Sequence, residues 1–168
     1  MTANVRLALF AGFLVIATAL AINSIETLPD RVAVHFGQGG IADGWVTRGE
    51  YRLLALISLL GLPLFLVWVM AGLPRIINGR GQIPNCEYWF ADERRRATED
   101  FLIRHSLWLG FMTIAIVYGI HLSIVRANGA SPPVLAEDRF ITMVLVYLIG
   151  LGWWAVSFFR RFRTSHTS

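Results

Sequence analysis

Lysine is absent from this chain, and cysteine occurs once, at Cys86. A single thiol excludes an intramolecular disulfide and any zinc site built from paired cysteines. Cys86 itself reads as a buried or lipid-side thiol. Charge is also scarce: 15% of the 168 residues are charged and 55% are apolar, where soluble domains carry ~25% charge. That balance excludes intrinsic disorder and argues against a soluble enzyme. No nucleophile elbow, dinucleotide fingerprint or H-E-x-x-H pair occurs. Gly37-Gln38-Gly39-Gly40 lacks the Lys-Ser/Thr that a phosphate-binding loop needs.

What the chain does have is long charge-free runs. Leu7–Ile25, Leu53–Pro74, His105–Val125 and Phe140–Phe159 contain no Asp, Glu or Arg. Each is about 20 residues, so at ~1.5 Å per residue each reaches roughly 30 Å, the thickness of a hydrocarbon core. A backbone crossing lipid must satisfy its own hydrogen bonds, so each run should be helical. The expected fold is an all-α integral membrane protein, a single domain over 1–168. Its four transmembrane helices lie at about 5–26, 52–73, 92–126 and 139–160. Residues 27–51 form an outer, hairpin-like loop, and residues 74–91 form a cytoplasmic loop. The segment Ala19-Leu20-Ala21 has the form of a signal-peptide cleavage site, but the apolar run exceeds the usual ~7–15-residue signal core, so we read a retained helix.

All 15 basic residues are arginine, and the net charge is +4. They flank the apolar runs rather than forming a separate basic face, so they read as topology determinants and not as a nucleic-acid footprint. Arg31, Arg48, Arg52, Arg126 and Arg139 fall on one side of the membrane; the remaining ten of the 15 fall on the other. The excess places both termini in the cytoplasm of a multi-pass protein of the bacterial inner membrane. Charge-free spans also argue against a pump or proton-driven transporter, although Asn23, Tyr118 and His121 are available to line a polar cavity. Ala8/Gly12, Ala17/Ala21 and Ala115/Gly119 place small residues one turn apart, as close helix packing requires. Pro63 should kink the second span and free a carbonyl near Leu59. The six tryptophans mostly lie near span ends, as interfacial aromatics do.

The outer loop carries the most information. Val32–Phe36 is β-prone, Gly37, Gly39, Gly40 and Asp43-Gly44 supply turns, and Trp45–Thr47 can return as a second strand. A two-stranded unit is marginal alone, so it should lean on helix ends with Phe36 and Trp45 inward. His35 is the chain's most versatile ionisable group, able to bind a metal, move protons or sense pH. Asp43, His121, Glu137 and Asp138 share its side, but no two of these residues have ligand-type spacing. His105 and His121 lie about 160° apart around one helix and cannot share an ion. The plainer expectation is a His35 hydrogen-bonded within its own loop.

The run L-P-D-R-V-A-V-H-F-G-x-x-G-x-A-D-G-W resembles the signature of the small membrane domain at the start of SdpI-type bacterial proteins, over the first two helices and their loop. His35, Phe36, Gly40, Asp43 and Trp45 match it. Ala33 stands where a Pro is common, and Arg48 where a Lys is common. The resemblance implies a membrane protein with a role in immunity or signalling towards a secreted peptide.

In the cytoplasmic loop, Tyr88-Trp89-Phe90 reads as an interfacial anchor, and Asp92 or Glu93 suits a helix N-terminus. Arg95/Glu99 and Arg96/Asp100 are i,i+4 pairs. Arg94–Arg96 read either as a docking site for a partner or anionic lipid or, more plainly, as a solvated helix face. The expected function is non-enzymatic: the outer loop binds a peptide or protein partner through His35, Phe36, Asp43 and Trp45. A weaker second surface comprises Asn85, Tyr88, Trp89, Arg94 and Arg95. No cofactor or metal is expected; the partners are the bilayer and a peptide or membrane protein, with self-association left open. The alternatives are an accessory subunit of a larger membrane complex or a membrane-bound metal-dependent enzyme.

Overall fold

The computed structural model describes residues 3–163. It contains α1 (Ala3–Ile25), a hairpin of β1 (Arg31–Phe36) and β2 (Ala42–Thr47), α2 (Arg48–Ile77), a short α3 (Cys86–Trp89), α4 (Asp92–Asn128) and α5 (Glu137–Phe162). The helices α1, α2, α4 and α5 are long and apolar enough to cross a membrane. All begin and end within a few residues of the expected boundaries, and two have N-termini with identifiable causes.

The first is α2, which starts at Arg48 rather than near 52. Thr47 and Glu50 form a reciprocal capping box there: the Thr47 hydroxyl accepts from the Glu50 N–H, and the Glu50 carboxylate accepts from the Thr47 N–H. The second is α4, whose first turn carries Asp92 and Glu93 at its positive end. It runs unbroken for 37 residues, so part of it stands beyond any bilayer core.

The expected Pro63 kink takes another form. The turn before it, Ile57–Gly61, widens into a π-turn, and a second π-turn, Trp68–Gly72, precedes Pro74. A proline ring collides with the carbonyl four residues back; an extra residue in the preceding turn relieves that collision. Both end on the glycine of the same Gly-Leu-Pro triplet, at 61–63 and 72–74. The two prolines are buried and so lie towards the bundle.

α4 is the central helix, packed by α1, α2 and α5. α1 buries a stripe of Phe10, Leu14, Ala17, Ala21 and Ile25, spaced as one helical face requires. Ala17 and Ala21 therefore serve packing as expected, whereas Ala8 and Gly12 face outward. Phe10 meets Phe111 edge-on at 5.4 Å and lies over Gly110, where a Cβ would come within 2.7 Å of its ring. Buried hydroxyls on α4 are satisfied locally: Thr113 donates to Leu109 O and Ser106 to Ile103 O. α5 packs least, with Ile141, Leu145, Leu148, Ile149 and Val156 all exposed.

The chain therefore has two distinct ends. Residues 26–47 and 128–137 gather at one, the hairpin end. Residues 78–91 gather at the other with the last turn of α5.

Candidate functional site

The hairpin is antiparallel, pairing Arg31 with Thr47, Val32 with Val46 and Ala33 with Trp45. Its register then slips twice, on either side of the His35–Gly44 pair. Val34 is left over on β1 and Asp43 on β2. Each bulge re-aims the side chains beside it, and together they bring His35 and Asp43 onto one face. The His35 Nδ1 lies 2.5 Å from Asp43 Oδ1, with the two side chains 76% and 51% exposed. Two glycines make the room. A Cβ on Gly44 would sit 2.8 Å from His35 Cβ, and a Cβ on Gly37 would sit 2.9 Å from Asp43 Oδ2. A carboxylate can only accept, so the imidazole donates to it through Nδ1–H.

The expected inward facing of Trp45 is overturned: β2 alternates without a break, and Trp45 stands exposed two residues along from the exposed Asp43, while Val46 takes the inner face. Phe36 is half-buried, and the hairpin's inner contacts come from Val32 and Ala33.

Three helix ends hold this hairpin. Asn128, on the last turn of α4, accepts from Ala33 N–H through Oδ1 and donates to Ala33 O through Nδ2. Glu137, on the first turn of α5, accepts from Gly40 N–H at 2.9 Å, and Leu135 N–H donates to Gly40 O. Gly40 has φ +69, and a Cβ there would overlap the Leu135 carbonyl; only glycine meets both demands. On α2, Arg48 donates to Leu28 O and pairs with Asp30, and Arg52 pairs with Glu26.

Beneath the hairpin lies a buried polar chain that links α1, α2 and α4. Tyr51 Oη is 2.8 Å from His121 Nδ1, and His121 Nε2 is 2.7 Å from Ser24 Oγ. Ser24 spends its own proton on Ala21 O, so it accepts from His121 Nε2–H, and His121 Nδ1 accepts from Tyr51 O–H. Every member is satisfied with a neutral imidazole. Asn23, expected beside His121, is instead exposed.

Among the described residues, no group of three or more His, Cys, Asp or Glu side chains converges to hold a metal ion. Glu137 is engaged by Gly40, and His121 by Ser24 and Tyr51.

The second candidate surface is largely a packing knot. Trp89 is a core residue, edge-on to Phe162 at 5.4 Å, because the chain folds back against the end of α5. The Arg161 guanidinium lies 4.9 Å over its ring, and Arg94 lies 4.0 Å over Tyr88. Asn85 adopts a left-handed conformation at the start of α3. Arg95 reaches Glu99 as expected; the second partner of Glu99 is Arg75, from α2.

Sequence reasoning singled out His35 and Asp43 but missed Ser24, Tyr51 and Asn128, and gave Arg48 no bridging role. Its one usable signal was Asn128 immediately before Gly129, a polar pair ending an apolar run.

Residues 12–62 match the model of a domain of unknown function, DUF1648. The match spans the second half of α1, the whole hairpin and the first half of α2, less than a third of the chain. No curated protein and no solved structure matches the chain.

Proposed function

We propose that this is a non-enzymatic, four-span protein of the bacterial inner membrane, termini cytoplasmic, whose hairpin engages a peptide or protein partner at the outer face. The observation that carries the reading is the exposed His35–Asp43 pair. A solvent-exposed ion pair contributes little to stability, about 0–1 kcal/mol. Two bulges and two glycines nevertheless hold it, and three helix ends fix the hairpin that carries it. Such construction has the character of presentation: an imidazole held by a carboxylate, and an exposed indole, on one rigid face. Aromatic side chains with adjacent polar groups are the usual anchors of protein recognition. Resemblance to SdpI-type proteins over the same segment favours a role in immunity or signalling towards a secreted peptide. The ten-to-five arginine split supports the orientation.

The test is partner capture from detergent-solubilised membranes. His35→Ala and Trp45→Ala should each lower recovery of the partner about tenfold, the loss expected of one anchor worth ~1.4 kcal/mol, with thermal stability unchanged. Undiminished capture by both variants would remove the proposal. An accessory-subunit reading draws on the outward stripe of Ile141, Leu145, Leu148 and Val156 on α5. It predicts co-purification that ignores hairpin substitutions and fails when that stripe is changed.

A further inference from the structure

Between α4 and α5 the packing opens into two adjoining clefts that have Trp108 and Trp153 in common. One, of about 430 Å³, is lined by Arg104, His105 and Ser157, with Trp108 and Trp153. The other, of about 350 Å³, continues from the same two tryptophans past Met112, Ala115 and Met143. The pair forms one groove with a polar, cationic mouth and an apolar tail. From Arg104 to Ile116 it runs about 18 Å along α4 at ~1.5 Å per residue.

The mouth has the chemistry of an anion site. Arg104 has no ion-pair or hydrogen-bond partner among the described residues. It is the last charge before the apolar run 105–125, which places it at headgroup depth. Beside it, His105 Nε2 and Ser157 Oγ lie 3.3 Å apart. The exposed indoles of Trp108 and Trp153 stand where the groove turns apolar, the position such rings take at a membrane interface. The tail's volume of about 350 Å³ is too small to seat a helix, about 10–12 Å across with its side chains, and is of the size of a single hydrocarbon chain.

The geometry points to a specific site for an anionic bilayer phospholipid, its phosphate at Arg104, His105 and Ser157 and one acyl chain along the groove. The guanidinium supplies charge-assisted donors to the phosphate, and the site opens sideways to the bilayer from which the lipid enters. This inference rests on the membrane reading, not on the hairpin's role.

The test uses the full chain, stripped of lipid in detergent and titrated with phosphatidylglycerol or phosphatidylcholine of matched acyl chains, followed by native mass spectrometry. The wild type should prefer phosphatidylglycerol about tenfold, the ratio one charge-assisted contact of ~1.4 kcal/mol supplies. Arg104→Gln should abolish that preference and Ala115→Trp should lower occupancy by both lipids. Arg96→Gln, on the same helix but outside the groove, should change neither. Ser157→Ala gives a milder loss and serves if Arg104→Gln does not fold. Equal binding of the two lipids, a preference that survives Arg104→Gln or Ser157→Ala where the former does not fold, or tighter binding of a single-chain fatty acid than of phosphatidylglycerol would overturn the site. Failure here leaves the membrane reading intact; a chain that disperses without detergent would sink that reading itself.

Discussion

The two ends of the molecule are held together by different forces. At the hairpin end the contacts are directional: the paired hydrogen bonds of Asn128 to Ala33, the Glu137 carboxylate on Gly40, the Thr47–Glu50 capping box and the Arg48 and Arg52 bridges. At the opposite end they are aromatic and largely non-directional. Trp89, Phe101, Phe158 and Phe162 form a continuous ring cluster, with Arg161 over two of its members. Hydrogen bonds fix position and orientation, whereas aromatic packing tolerates several arrangements of similar energy. The first suits a surface that must present one geometry. The second suits a clasp that ties a return loop to a helix end.

If that contrast is right, damage at the aromatic end should cost the most stability and damage at the hairpin end should cost the most local order. Trp89→Ala should lower unfolding free energy by about 3–5 kcal/mol, the cost of truncating a buried tryptophan, read by thermal unfolding in detergent; the hairpin amides should keep their hydrogen-exchange protection. Asn128→Ala should cost about 2–4 kcal/mol, because Ala33 is fully buried and both its N–H and its C=O lose their partner. Its signature is loss of exchange protection confined to 31–47. Gly40→Ala should cost about 1–3 kcal/mol from positive φ and overlap with Leu135, and should loosen the hairpin without moving the aromatic cluster. Thr47→Ala removes one cap and should cost about 1 kcal/mol, seen as fraying of the first turn of α2. Glu99→Gln weakens two half-exposed pairs, to Arg75 and Arg95, and should change stability by about 1 kcal/mol or less. A hairpin that keeps its protection in Asn128→Ala, or loses it in Trp89→Ala, would break the contrast.

Much of the architecture was legible because lipid imposes a coarse rule on sequence. A stretch without charge must be helical and must be about 20 residues long, so gaps between charged residues locate the four long helices, and Asp92 and Glu93 mark the earlier start of α4. Strand propensity and glycine placement likewise locate the hairpin. The facing of Trp45 was not legible, because alternation along β2 allows either face to turn inward, and it is Val46 that packs against Val32 and Tyr51 beneath the hairpin. The π-turns of α2 had a visible mark in the repeated Gly-Leu-Pro, but a single proline viewed alone suggests a kink. The buried chain of Ser24, Tyr51 and His121 joins residues up to 97 apart. The Asn128–Ala33 contact spans 95. No local pattern encodes such pairings, since each partner satisfies ordinary local rules and only the packed helices bring them together.

The account stands on the hairpin and the return loop lying on opposite faces of a membrane, the hairpin outside. Site-directed labelling tests it most directly: Trp45→Cys and Glu87→Cys, each in a Cys86→Ser background, exposed in intact bacteria to a membrane-impermeant maleimide. We expect position 45 to label without lysis and position 87 only after it. Labelling of position 87 in intact cells with position 45 protected would reverse the orientation, and equal access at both positions would contradict a membrane lying between them.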